Sequence, residues 1–236
     1  MTPNLRIALY ADGADVAEMA AARDRGVVQG FTTNPTLMRK SGIRDYESFA
    51  REALSATSGL PISFEVFADD FDEMERQAKH IATWGEAVFV KIPITNTKRE
   101  SSIPLIARLS AAGVKLNVTA ILTLEQVREV VDALDANTPA IVSVFAGRIA
   151  DTGRDPVPLM REAAAIVSAK PKAQLLWASP RELLNVMQAE EAGCHIITVT
   201  GDILKKLAMV GKSLDELSLD TVKMFYDDAA AAGFRL

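Results

Sequence analysis

The feature that most restricts this chain is an alternation running along its whole length. Short apolar, β-branched runs recur at residues 6–11, 27–32, 62–67, 87–92, 114–118, 140–145, 174–178 and 195–200. Between them lie segments with helical spacing, rich in Ala, Glu, Arg and Leu, at 14–25, 70–83, 98–112, 124–134, 157–169 and 181–192. A continuous apolar run is what a strand covered on both faces requires, as in a parallel sheet under helices. Asp15 and Thr123 stand where helix N-caps belong, Thr123 forming a capping box with Gln126. Gly26, Gly113 and Gly193 stand where helices should stop. Eight such units in 236 residues predict an α/β protein, a single (β/α)8 barrel spanning 1–236 as one domain. The segment 214–234 reads as an additional C-terminal helix. Its Leu214, Leu217, Leu219, Val222, Phe225 and Tyr226 either pack on the barrel or reach a neighbouring subunit. A doubly wound open sheet is the alternative, but no Gly-x-Gly-x-x-Gly follows the first strand to support a dinucleotide site.

Charge and composition narrow the function classes. The net charge is -5 with both signs scattered, so no basic block points to nucleic acid or to an anionic membrane. No apolar stretch reaches the ~20 residues of a membrane helix, and the N-terminus has no long apolar core of a signal peptide. The single cysteine, Cys194, rules out an intramolecular disulfide framework and fits a reducing cytoplasm. His80 and His195 are far apart with no metal-ligand spacing around them, so no metal site is expected.

Lys91 is the only charge in the run Ala-Val-Phe-Val-Lys-Ile-Pro-Ile from Ala87 to Ile94. A lysine ending a buried strand either snorkels to solvent or sits in a desolvated pocket. Desolvation disfavours an ammonium ion. Bringing a lysine from its usual ~10.4 to about 7–8 makes it a usable nucleophile and costs about 3–5 kcal/mol.

In a barrel of this type, chemistry sits at the C-terminal ends of the strands. This sequence puts there Asp12, Asn34, Glu65, Lys91, Asn117 with Thr119, Arg148 just past Phe145, and Ser179 with Arg181. Each has a plain structural explanation. Asp12 and Asn34 suit turns before Gly13 and Pro35. Ser179-Pro-Arg181-Glu182 is also a capping box, and either arginine is acceptable as a surface charge. Glu65 is harder to explain away, because a carboxylate within an apolar strand needs a partner or a proton. Together the set permits one chemistry. A neutral lysine condenses with a ketone to an iminium, which accepts electrons as the neighbouring carbon–carbon bond breaks. Two carboxylates divide the proton transfers, and two arginines hold a phosphate. No metal or organic cofactor is required.

The segments Gly30-Phe-Thr-Thr-Asn34-Pro-Thr, Phe89-Val-Lys91-Ile-Pro, Leu116-Asn117-Val-Thr119, Val144-Phe145-Ala-Gly-Arg148-Ile and Ala178-Ser179-Pro-Arg181 together resemble the transaldolase family, in its compact branch shared with fructose 6-phosphate aldolases. The resemblance implies Lys91 as the Schiff-base lysine, Asp12 acting on the hydroxyl beside the breaking bond, and Glu65 moving protons through a water held with Thr119. It implies Asn34, Asn117 and Ser179 on the dihydroxyacetone portion, and Arg148 and Arg181 on the phosphate. Transaldolases are similar to this chain in carrying Glu at position 65 and Phe at position 145, where the aldolases tend to carry Gln and Tyr. The implied reaction takes a dihydroxyacetone unit from fructose 6-phosphate to erythrose 4-phosphate, a step of the pentose phosphate pathway. The rivals are an aldolase releasing free dihydroxyacetone and a sugar-phosphate-binding protein without turnover. Sugar phosphates are the expected partners, and the compact branch implies a homo-oligomer.

Overall fold

The computed structural model describes residues 5–235. The alternation closes into a barrel in which each strand pairs in parallel with the next and the eighth returns to the first. The strands are β1 (Ala8–Asp12), β2 (Gly30–Thr32), β3 (Ile62–Glu65), β4 (Val88–Pro93), β5 (Leu116–Ile121), β6 (Ala140–Val144), β7 (Ala173–Trp177) and β8 (Ile196–Val199). The helices are α1 (Val16–Asp24), α2 (Pro35–Lys40), α3 (Tyr46–Thr57), α4 (Phe71–Ala82), α5 (Ile103–Ala111), α6 (Leu124–Ala133), α7 (Ala146–Ala150), α8 (Val157–Val167), α9 (Leu184–Glu191), α10 (Gly201–Lys206) and α11 (Leu214–Ala232). Two compact units emerge, the barrel from Leu5 to Leu204 and a C-terminal unit described over 205–235.

The strands are buried on both sides, as their composition demands. Successive side chains of a strand face opposite ways. One set, including Val90, Ile92, Val118, Val142 and Trp177, is buried on the helix side with residues such as Met74, Ile106, Val130 and Met160. The other set fills the barrel interior. Tyr10, Phe89, Ile141, Leu176 and Ile196 pack there as one apolar cluster. Gly30 belongs to this layer: a Cβ at that position would run into the Tyr10 ring, so β2 must leave the space to it. Two residues further along, at Asp12, Thr32, Lys91, Ser143 and Thr198, the interior turns polar, while β7 continues apolar into Ala178.

Local signals held where they were strongest. Asp15 accepts the Glu18 N–H at 2.9 Å, and Thr123 with Gln126 forms the reciprocal capping box. Gly26, Gly113 and Gly193 follow their helices at φ of 67°, 81° and 81°. Three expectations are corrected. The helix expected from 181 begins at Leu184, and Ser179-Pro-Arg181-Glu182 forms no capping box. Instead Ser179 adopts φ 61°, and Gly147 of α7 sits so close to its carbonyl that only a residue without Cβ fits there. The helix expected from 98 begins at Ile103, because Asn96 Oδ1 accepts the N–H groups of Lys98 and Glu100 and turns the chain back into a Thr95–Ser101 bridge. Finally, β6 stops at Val144 and α7 follows at once. Helices α2, α3, α7 and α10 lie in stretches with no helix assigned from sequence.

In the C-terminal unit, α11 is closed by Gly233 at φ 67° and braced by a Lys212–Asp220 ion pair. Leu214, Leu219, Val222, Phe225 and Tyr226 on it are all exposed. Among the described residues no helix is long and apolar enough to cross a membrane.

Candidate active site

At the C-terminal mouth of the barrel the interior opens into a cavity of about 440 Å³. Lys91, Asp12, Glu65, Asn34, Asn117, Thr119, Phe145, Arg148 and Ser179 line it. Nine of the ten residues singled out in the sequence therefore meet in one space, and Arg181 lies beside it. The register explains the convergence. Glu65 stands level with Lys91, and Lys91 with Asn117, so the three project from adjacent strands at one height.

Lys91 is 6% exposed. Its Nζ lies 3.1 Å from Glu65 Oε2 and donates to the Thr33 carbonyl at 2.9 Å. It is thus held in the pocket, not snorkelled to solvent. Asp12 ends β1. Its Oδ1 accepts from the Thr32 hydroxyl at 2.8 Å and its Oδ2 from Asn34 Nδ2 at 3.4 Å. Burial pushes the Asp12 carboxyl above its usual range, and the nearby Glu65 adds to this. The Lys91 charge and the Thr32 and Asn34 hydrogen bonds oppose it without cancelling it. A carboxyl moved toward neutrality and set in a cleft suits general acid–base work.

Asn34 serves twice, capping α2 through the Leu37 N–H while its amide faces Asp12. Asn117 is fully buried and wired between two hydroxyls, accepting from Ser143 at 2.6 Å and donating to Ser63 at 3.0 Å. Thr119 Oγ1 is buried and has no hydrogen-bond partner in the protein, so it keeps a donor and an acceptor for whatever enters. Just after it β5 bulges, with Ala120 at φ 62° and the pairing to β6 shifted between Val118 and Ile121. A non-glycine residue at positive φ beside a pocket marks backbone held for function.

Arg148 is exposed at the rim, its guanidinium 5.3 Å from the Phe145 ring centroid. Arg181 donates through Nη1 to the Ser179 hydroxyl at 2.9 Å and grips Asp151 with its other edge, Nε to Oδ1 at 2.8 Å. It faces the adjoining cavity with Trp177, Arg154 and Asn185. Among the described residues no group of three or more His, Cys, Asp or Glu side chains could hold a metal ion.

Sequence reasoning missed Thr32, Ser63, Ser143 and Thr198, the inward hydroxyls that connect the site. Thr32 Oγ1 and Thr198 Oγ1 are 2.5 Å apart, so β8 also contributes. The available signal was period two: Thr32, Ser63 and Ser143 each precede Asn34, Glu65 and Phe145 by two positions.

An enclosed parallel barrel with its polar groups gathered at the C-terminal mouth defines the (β/α)8-barrel enzyme class. The chain belongs to the transaldolase/fructose-6-phosphate aldolase family, whose pattern matches residues 9–236. It is 35% identical over 200 residues to the Probable transaldolase 2 of Listeria monocytogenes, covering 84% of this chain and 87% of that protein. It is 37% identical over 201 residues to the Probable transaldolase of Clostridium acetobutylicum, covering 84% and 88%. With that of Desulforamulus reducens it shares 34% identity over 221 residues, 92% and 97% of the two chains. A solved structure from Burkholderia cenocepacia, provisionally a phosphonomutase, superposes with a TM-score of 0.59 over 87% of this chain and 93% of its own. At 15% identity that likeness speaks for the fold alone.

Proposed function

We propose that this enzyme is a transaldolase that moves a dihydroxyacetone unit from fructose 6-phosphate to erythrose 4-phosphate through an imine on Lys91. The observation that carries the reading is the buried Lys91 Nζ, 3.1 Å from Glu65 in the same cavity as Asp12. Glu65 takes a proton from the ammonium and leaves a free amine. The amine adds to the ketose carbonyl, and the carbinolamine loses water to give an iminium, with Glu65 returning the proton to the departing hydroxyl. A water held by the unpartnered Thr119 hydroxyl can extend that relay. Asp12 takes the proton of the C4 hydroxyl as the C3–C4 bond breaks. Glyceraldehyde 3-phosphate leaves, and the electron pair moves into an enamine on Lys91. Addition of the enamine to erythrose 4-phosphate forms the new bond as Asp12 gives its proton back. Water then hydrolyses the iminium to sedoheptulose 7-phosphate and free lysine. Asn34, Asn117 and Ser179 orient the three-carbon unit, and Arg148 with Arg181 holds the phosphate.

Phe145 favours transfer over release of dihydroxyacetone, since a phenyl ring on the cavity wall neither donates a proton nor positions water. The exposed apolar side chains of α11 support a homo-oligomer, and sedimentation of the chain at monomer mass would count against that part. The single cysteine, Cys194, is buried and free, which suits a cytoplasmic enzyme.

The test is borohydride trapping with fructose 6-phosphate, followed by turnover with and without erythrose 4-phosphate. A sugar-derived mass on the peptide containing Lys91, with product only when acceptor is present, is the expected result. Label on another lysine, or undiminished activity in Lys91→Ala, would remove the basis of the reading. Equal cleavage without acceptor would make the enzyme an aldolase.

A further inference from the structure

The Lys91–Glu65 pair depends on where the β2–β3 ladder stops. Along that edge Phe31 N–H bonds to the Pro61 carbonyl and Thr33 N–H to the Ser63 carbonyl. One more step of a parallel ladder would join Glu65 N–H to the Thr33 carbonyl and the N–H of residue 35 to the Glu65 carbonyl. Neither bond is made. Residue 35 is a proline and has no N–H. The Thr33 carbonyl instead accepts from Lys91 Nζ at 2.9 Å.

Both orphaned groups of Glu65 go instead to one side chain. Glu65 N–H donates to the Tyr46 hydroxyl at 2.8 Å, and that hydroxyl donates to the Glu65 carbonyl at 3.0 Å. Tyr46 opens α3, and its ring packs edge-on against Phe64, Phe67 and Trp84 at 6.1, 4.9 and 5.4 Å between centroids. A rigid aromatic cluster thus stands in for the missing end of strand β2.

We infer that Tyr46 is a positioning residue for imine formation: its hydroxyl replaces two ladder bonds, fixes the Glu65 backbone, and leaves the Thr33 carbonyl to hold the Lys91 amine. The inference rests on the imine reading above. Without the hydroxyl, Glu65 N–H has two ways to recover a bond. It can turn to the Thr33 carbonyl and compete there with Lys91, or it can fray into the cavity and carry its carboxylate away from Nζ. Either outcome moves a proton-transferring group relative to the amine, and misplacements of about 1 Å cost on the order of 100-fold in rate. Burial keeps the Tyr46 hydroxyl protonated well beyond the usual tyrosine range, so it remains a donor.

The experiment compares the parent, Tyr46→Phe and Trp84→Phe. Tyr46→Phe keeps the ring and removes only the hydroxyl, while Trp84→Phe alters the same cluster and leaves the hydroxyl. We expect Tyr46→Phe to slow single-turnover imine trapping with fructose 6-phosphate about 10- to 100-fold, with KM nearly unchanged. Trp84→Phe should lower the melting temperature without that loss. A Tyr46→Phe protein that is folded and traps at the parent rate overturns the inference, as does an equal slowing in Trp84→Phe. A second arm needs no variant: the Glu65 amide of the parent should exchange with deuterium as slowly as its neighbour Val66, and exchange at loop rates removes the bond on which the inference stands. If the parent itself traps no sugar on Lys91, the imine reading fails first and this inference falls with it. Trapping in the parent with no dependence on Tyr46 refutes this inference alone.

Discussion

Asp12→Asn separates the chemistry of the site from its cost to the fold. The substitution keeps an oxygen for the Thr32 hydroxyl at 2.8 Å. It also sets an amino group opposite Asn34 Nδ2, 3.4 Å from the second Asp12 oxygen, so two donors face each other and one bond is lost. That costs about 0.5–1.5 kcal/mol. Against this, an ionisable group that burial pushes above its ordinary 3.8 is removed. The sign follows from proton linkage. Folded Asp12 holds its proton more tightly than unfolded Asp12, so the parent loses stability as pH rises from the unfolded value through the raised folded one. The variant has no such loss. The difference in melting temperature, variant minus parent, should therefore be more positive at pH 7 than at pH 3.5. Each 1 kcal/mol is worth about 2–4 °C in a chain of this size.

The activity should move the other way. A positioned general acid–base contributes about 10²- to 10⁴-fold, equivalent to about 3–5 kcal/mol of barrier, and kcat should fall by that factor. Imine trapping at Lys91 should survive, because in the proposed cycle Asp12 acts on the substrate hydroxyl only after the imine has formed. Calorimetric melting across the pH range and stopped borohydride assays read both halves. A temperature difference that stays constant with pH, or kcat within about tenfold of the parent, would refute the reasoning.

Arg148→Ala removes a rim guanidinium whose charged hydrogen bonds are worth about 1.5–3 kcal/mol, so kcat/KM should drop about 10- to 150-fold for phosphorylated sugars and far less for unphosphorylated analogues. Arg181→Ala should do likewise, whereas Asp151→Ala, which releases Arg181 from its carboxylate partner, should lower KM for the same sugars. Equal losses on both substrate classes would make the arginines structural. Phe145→Tyr should raise cleavage without acceptor and lower transfer with it, because a hydroxyl there can protonate or hydrate the lysine-bound intermediate. An unchanged partition in a folded variant would leave Phe145 as packing.

The barrel was legible because its helix-facing layer and the interior layer below the mouth are apolar, which makes each strand a nearly continuous run. Runs such as 87–92 and 140–145 needed no alternation to stand out. Helix ends were legible where the signal is local, as at Asp15, Thr123 and Gly113. They were misread where tertiary contacts override it. Ser179 satisfies every local rule for an N-cap, yet the approach of Gly147 to its carbonyl bends the chain and leaves the cap unmade. Helices α2 and α3 were missed because Asn34-Pro35 reads as a turn, although Pro35 is the first residue of α2, and because the connection is divided between two helices.

The site follows the same division. Lys91 and Glu65 were visible as charges in apolar runs, where desolvation makes an accidental charge expensive, and Asp12 by its place at the end of a strand. Thr32, Ser63, Ser143 and Thr198 were missed, since a strand hydroxyl draws no attention by itself and is placed inward only by counting back two positions from a residue already assigned to the site. The Asp151–Arg181 pair joins α7 to the chain beyond β7, and only the close packing at Gly147 brings the two together. The second partner of Lys91, the carbonyl of Thr33, has no side-chain signature. Its availability can nevertheless be traced to sequence in two steps: Pro35 ends the ladder by lacking an N–H, and Tyr46 supplies the bonds that Glu65 would otherwise demand. On this inference, a proline and a tyrosine, each opening a helix, decide where the Lys91 amine sits.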